Sequence, residues 1–249
     1  MNLTNLYHIN IYNDTFNCFL SRITGECGKG FVVTPNVDHI VKLEKDKAFQ
    51  NAYANALFAL PDGKPLLWAS RLIGCPITER IAGSDLFCRL LPLCEKKNKS
   101  IYLLGASDEI RQKAIGQMVD QYPALKISGS CSPPFGFEKN DRLNNQIIES
   151  INEAKPDFLF IFLGAPKQEK WINEHINRLD IRLAFCLGAS LDFYAGEFKR
   201  APLWMQQMGF EWFWRMLYDR RLIKRYLIDD LIPFAKLTFR EYLAARSRR

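Results

Sequence analysis

Long apolar runs are missing from this chain of 249 residues: the longest uncharged stretch, "AFQNAYANALFALP", is 14 residues and too polar to span a bilayer. Histidine is scarce, with three copies, and none belongs to a cluster that would suit zinc. The seven cysteines are scattered, odd in number and never spaced C-x-x-C, which argues against a disulfide framework or a zinc knuckle. They read as reduced, mostly buried thiols of a cytoplasmic protein. No charged, then apolar, then small-residue leader opens the chain, so secretion is not expected. Neither G-x-G-x-x-G nor G-x-x-x-x-G-K-[ST] occurs, which removes the main support for dinucleotide or Walker-type phosphate binding. D-x-D, a spacing suited to holding a divalent cation, is also absent, and Asp229-Asp230 reads as a helix surface.

What is present is a body that is nearly neutral and a tail that is not. Of the net charge of +7, residues 215–249 carry +6, from ten Lys/Arg against four Asp/Glu. Anionic membrane and nucleic acid are the usual partners of such a tail. Its basic residues are interleaved with an apolar stripe (Leu222, Ile223, Tyr226, Leu227, Leu231), with Arg221, Lys224 and Arg225 at the edges. That pattern suits lipid better than a phosphate backbone. Pro233 is expected to break the helix. A phosphate- or nucleic-acid-binding module without catalysis is the alternative reading of the same charges.

Apolar runs at 30–34, 56–60, 100–105, 125–129, 158–164 and 182–188 have the look of strands buried on both faces. Helix-length segments at 38–55, 64–73, 84–97, 108–122, 140–154 and 166–178 lie between them. The alternation predicts an α/β, Rossmann-like domain with a mainly parallel sheet over 1–200, and a basic helical appendage over 201–249. In such sheets ligands gather beyond the strand ends, and the polar and glycine-bearing residues fall there: "TPN", "PDG", "GAS", "GAPKQE" and "GASLDFYAG". Gly105, Gly164 and Gly188 would let backbone approach phosphate.

Each candidate at that rim has a plain reading beside a functional one. Asp62 is first a turn residue, as any Asp-Gly invites; a strand-end carboxylate can also take a proton from an attacking hydroxyl. Thr34, Asn36 and Asp38 could cap the following helix, with Asn36 the favoured N-cap, or use the same oxygens on substrate. His39 reads as a packed or solvated helix residue. Arg80 stands before a helix capped by Ser84 and could pair with a surface acid or grip a diphosphate bidentately. Gln168 lies in the first turn of a helix entered through Gly164 and Pro166, with Lys167, Glu169 and Lys170 on the solvated face.

Taken in order, "TPNVDHI", "LPDGKPLLW", "RIAGSDL", "IYLLGAS", "FLFIFLGAPKQEKW", "GASLDFYAGEFKRAPLWMQQMGFEWFWRM" and "RRLIKRY" resemble the WecG/TagA/CpsF glycosyltransferases, family 26. The resemblance runs over about residues 5–230. It implies metal-independent, cofactor-free transfer of a hexose-type sugar from a UDP-sugar, with inversion, to a polyprenyl-diphosphate-linked saccharide. Such steps serve bacterial teichoic acids, capsules, O-antigens and exopolysaccharides. It further implies Asp62 as base with Thr34 beside it, and Arg80 and Gln168 on donor or acceptor. Arg215, Arg221 and Arg225 would contact diphosphate from a membrane-docking tail. The expected enzyme is peripheral on the inner face of the plasma membrane, compatible with a homo-oligomer, and without a nucleic-acid partner. Where many relatives have Glu-Pro in the tail, this chain has Asp219-Arg220. The sugar itself is not legible.

Overall fold

The structure is a computed structural model that describes residues 2–25, 27–197, 202, 205, 214 and 224–247, with Arg225 and Tyr226 as backbone only. It opens with an antiparallel hairpin, β1 (Leu3–Leu6) and β2 (Ile9–Tyr12), then α1 (Phe16–Thr24). Next come β3 (Gly30–Val33), α2 (Val37–Leu43), α3 (Lys47–Asn55), β4 (Phe58–Ala59), α4 (Lys64–Ile73) and α5 (Gly83–Lys96). The second half holds β5 (Ser100–Gly105), α6 (Asp108–Gln121), β6 (Lys126–Cys131), α7 (Asp141–Ala154), β7 (Phe158–Phe162), α8 (Lys167–His175), β8 (Leu183–Cys186) and α9 (Ser190–Tyr194). A π-helical stretch, Arg225–Leu231, runs straight into α10 (Ile232–Ser247).

The large sheet has six strands in the order β4-β3-β8-β7-β5-β6, every pair parallel. This is the α/β, Rossmann-like architecture the alternation predicts. The apolar strands are double-faced because helices cover both sides. Phe31 and Val33, Leu159 and Ile161, and Ala184 and Cys186 enter one core with α2, α3, α4, α7, α8 and α10. Val32, Phe158 and Phe160, and Leu183 and Phe185 enter the other with α1, α5 and α6. Because side chains alternate along a strand, a run such as "FLFIF" must be apolar throughout to fill both.

Several expectations are corrected. The helix foreseen over 38–55 is two helices: Asp46 accepts the Phe49 N–H at 3.1 Å and caps α3, a local bond that competes with continuing α2. The α5 helix starts at Gly83, not after Ser84, and its N-cap Ala82 makes no side-chain bond. Pro233 does not break the last helix. The wider π register just before it relieves the clash between the proline ring and the preceding turn. The seven cysteines, all among the described residues, form no disulfide, yet only Cys94 and Cys186 are buried, and Cys18 and Cys88 are exposed.

The first hairpin is absent from the sequence reading. Its two turn residues, Tyr7 and His8, have φ of 52° and 62°, a conformation usually signalled by Asn-Gly. Tertiary contacts hold it instead. Tyr7 Oη lies 2.7 Å from Thr238 Oγ1, and the Tyr7 ring packs on Phe234 at 5.6 Å, tying the hairpin to α10. On the opposite side α10 leaves Ile232, Phe239 and Leu243 exposed. Among the described residues no helix is long and apolar enough to cross a membrane.

Candidate active site

Parallel pairing sends every strand end of the large sheet to one rim. There a cleft of about 280 Å³ opens beyond four adjacent strands, β4, β3, β8 and β7. Its walls include Thr34 and Asn36 after β3, Asp62 after β4, Gln168 after β7, and Gly188 and Ser190 after β8. Asp38 and Arg80 line it too, and Gly83 closes one side. Gly105 and Gly164 are not among these walls. At Gly105, with φ of 109°, an added Cβ would lie 2.7 Å from the Phe162 carbonyl oxygen, so close strand packing alone demands glycine there.

The Asp62 turn is fixed by two neighbouring segments at once. Its backbone N–H donates to Pro35 O at 2.8 Å, and the Ile81 N–H donates to Pro61 O at 2.8 Å. Asp62 Oδ2 accepts the Gly83 N–H at 3.3 Å, which places the carboxylate at the N-terminus of the 14-residue α5. The turn that brings it there uses Gly63 at φ 97°, a conformation that L side chains rarely adopt. Thr34 is buried and donates to Cys186 O at 3.3 Å, bridging β3 to β8.

Asn36 caps α2 as expected, accepting the His39 N–H at 3.1 Å. Asp38 pairs with Lys42 at 2.7 Å on the same helix. Arg80 donates to Asp85 Oδ2 at 2.8 Å, which holds its guanidinium across the mouth of α5. His39 is buried, with Nδ1 2.6 Å from Tyr53 Oη, and burial pushes its pKa down to about 4.

Gln168 is buried beneath the cleft, its Oε1 accepting the Gly188 N–H at 3.0 Å. Glu169, expected in solvent, is fully buried, because α8 turns this side toward α3 and the sheet. Lys167 and Lys170 stay half-exposed and pair with Glu138 and Asp46. Asp230, also expected at a helix surface, is 5% exposed and lines the cleft with Leu231. Adjacent carboxylates in a tail carry no sign of which faces inward, and only the packing of the π-helical stretch decides it. Gly83, Ser190 and Asp230 are wall residues that the sequence reading did not select. Arg215 and Arg221 lie outside the described residues, as does the side chain of Arg225.

The profile of the glycosyl transferase WecG/TagA/CpsF family matches residues 4–248, almost the entire chain. The protein belongs to this family. It is a glycosyltransferase, and the cleft is its candidate active site. A Bacillus subtilis (strain 168) protein named N-acetylglucosaminyldiphosphoundecaprenol N-acetyl-beta-D-mannosaminyltransferase is 34% identical over 183 residues, which cover 74% of this chain and 69% of that one. A Bacillus spizizenii protein of the same name is 31% identical over 197 residues, covering 79% and 74%. One from Staphylococcus aureus (strain MRSA252), again of that name, is 29% identical over 195 residues, covering 78% and 74%.

Proposed function

We propose that this glycosyltransferase moves an N-acetylmannosamine-type sugar from a UDP-sugar to a polyprenyl-diphosphate-linked saccharide in bacterial envelope polysaccharide synthesis. The names of the relatives support the acceptor class and the transferred sugar. The observation that carries the chemistry is Asp62, a carboxylate tethered by the Gly83 N–H at the floor of the cleft. In the proposed step an acceptor hydroxyl oxygen attacks the anomeric carbon while Asp62 takes its proton. The bond to the departing UDP breaks, and its diphosphate oxygen keeps the electron pair. A single displacement of this kind inverts the anomeric centre. A positioned base contributes roughly a hundred- to ten-thousand-fold in rate.

Charge on the departing diphosphate needs donors fixed before the reaction, since such groups stabilise developing charge without reorganising. Arg80, held by Asp85, and Gln168 are assigned this role, and the reading is supported by their lining the same cleft as Asp62, Thr34 and Ser190. Arg215, Arg221 and Arg225 are assigned to the same diphosphate, in a mechanism that requires no metal ion or cofactor. Residues 201–249 act as the membrane-associating appendage that completes the site. The exposed Ile232, Phe239 and Leu243, interspersed with Lys236 and Arg246, support docking on anionic lipid at the inner face of the plasma membrane.

The reading is tested with a panel of UDP-sugars and a short-chain polyprenyl-diphosphate-N-acetylglucosamine, following UDP release with and without EDTA. The expected result is release driven by the N-acetylmannosamine donor and unaffected by EDTA. Turnover only with another sugar would replace the donor, and a strict metal requirement would remove the mechanism.

A further inference from the structure

Glu169 is fully buried, one residue beyond the cleft-lining Gln168, and one of its oxygens, Oε2, has no hydrogen-bond partner among the described residues. Burying a carboxyl group is costly unless its oxygens are put to use. The other oxygen is used: Gln168 Nε2 donates to Glu169 Oε1 at 2.8 Å. On the far side of the same amide, the Gly188 N–H donates to Gln168 Oε1 at 3.0 Å. These two contacts admit one orientation of the amide. Flipped, it would set N–H against the Gly188 N–H and a carbonyl oxygen against the carboxylate. In the orientation present, one Nε2 hydrogen is spent on Glu169 and the second remains.

We propose that Glu169 is a positioning residue that locks the Gln168 amide so that it presents an N–H donor, and not a carbonyl, to an acceptor oxygen of the bound substrate. The substrate in this statement rests on the function proposed above; the lock itself is a property of the free protein. Diphosphate oxygens and the carbonyl of an N-acetyl group are oxygens of the required class. Around Glu169 stand Tyr53 from α3, Asp38 and Lys42 from α2, and Cys186 from β8. Burial pushes the Glu169 carboxyl up to about 7, against the lowering effect of Gln168 and Lys42. Protonation weakens the charge-assisted bond to Nε2 and loosens the lock.

The test combines three variants. Glu169→Leu, which removes the acceptor, should lower kcat/KM about tenfold or more, the worth of a hydrogen bond to a charged group. Glu169→Gln, a neutral acceptor like the protonated acid, should hold kcat/KM flat at the level wild type reaches on the acid side of about 7, above that of Glu169→Leu, and lose the fall seen as pH drops through that window. In a Gln168→Leu background, Glu169→Leu should cost nothing further. Multiplying losses, or an unchanged pH limb in Glu169→Gln, would overturn the proposal. Should Glu169→Leu not fold, the side-chain amide resonance of Gln168 in the wild-type free protein, assigned by its loss in Gln168→Leu, decides. It is expected to titrate with a midpoint near 7, and a flat response sinks the lock. Absence of wild-type turnover would instead count against the proposed function, leaving the resonance to judge the lock alone.

Discussion

The carboxylate of Asp62 and the N–H of Gly83 meet at 3.3 Å, joining the loop after β4 to the first residue of α5. The contact puts a candidate base on the end of a helix whose free N–H groups orient it. Asp62→Asn should cut kcat by roughly a hundred- to ten-thousand-fold, since an amide cannot accept the proton. Circular dichroism should be unchanged. Activity close to wild type would take Asp62 out of its role.

Removing the other partner gives an independent reading. Gly83→Pro deletes the N–H, yet proline suits the first helical position, and Ala82 already has the extended φ of −75° and ψ of 142° that a residue before proline needs. The helix should persist, and kcat should fall about ten- to a hundredfold, as for loss of a hydrogen bond to a charged group. Steady-state kinetics beside a thermal melt will separate this from simple unfolding.

Asn36 lines the cleft and caps α2. Asn36→Ala should cost about 1 kcal/mol of stability, or roughly 2–4 °C in Tm for a chain of this size. Asn36→Ser should restore the melt, because a hydroxyl caps equally well. If activity stays low in the serine variant while Tm recovers, the amide also serves substrate.

Two buried groups set opposite pH trends. Glu169, raised to about 7 from 4.5, binds its proton more tightly when folded, so its share of stability is present at low pH and is lost as pH rises through that window. His39, lowered to about 4 from 6.5, binds fewer protons when folded, so its share grows as pH rises through its window. Urea titrations from pH 5 to 8 should show Glu169→Gln gaining on wild type as pH rises. A constant difference across that range would contradict the burial of a titrating carboxyl.

The exposed stripe on α10 makes a prediction of its own. Replacing Ile232, Phe239 and Leu243 together by serine removes apolar area without touching the core-facing Phe234 and Thr238. Co-sedimentation with phosphatidylglycerol-containing vesicles should drop sharply. Turnover of a water-soluble short-chain acceptor should hold. Undiminished sedimentation would move the docking surface elsewhere, and binding to oligonucleotides in its place would favour the phosphate-binding alternative.

Much of the fold was legible because its signals are local. The run "SIYLLG" is β5 to the residue, and 64–73 is α4 to the residue. Turn glycines and prolines mark these ends, and apolar periodicity marks their interiors. The hairpin at Tyr7-His8 carries no such mark, since its left-handed turn is held by Thr238 and Phe234 from the far end of the chain. The split between α2 and α3 was hidden because one capping contact at Asp46 outweighs a continuous helical pattern.

For the site, the sequence by itself determined the candidate residue types and the strand ends on which they sit. Thr34, Asn36, Asp62, Arg80, Gln168 and Gly188 were all found at one cleft. Which neighbour turns inward was decided only by tertiary structure. Glu169 and Asp230 were assigned to solvent because charge is usually exposed, and both are buried, Asp230 in the cleft wall and Glu169 against the cleft-lining Gln168. The physical reason is that a helix's inward face depends on what packs against it: α3 and the sheet bury Glu169, and the approach of Arg225–Leu231 to the rim buries Asp230. Sequence spacing fixes the angle between side chains on a helix, and packing fixes where that angle is measured from.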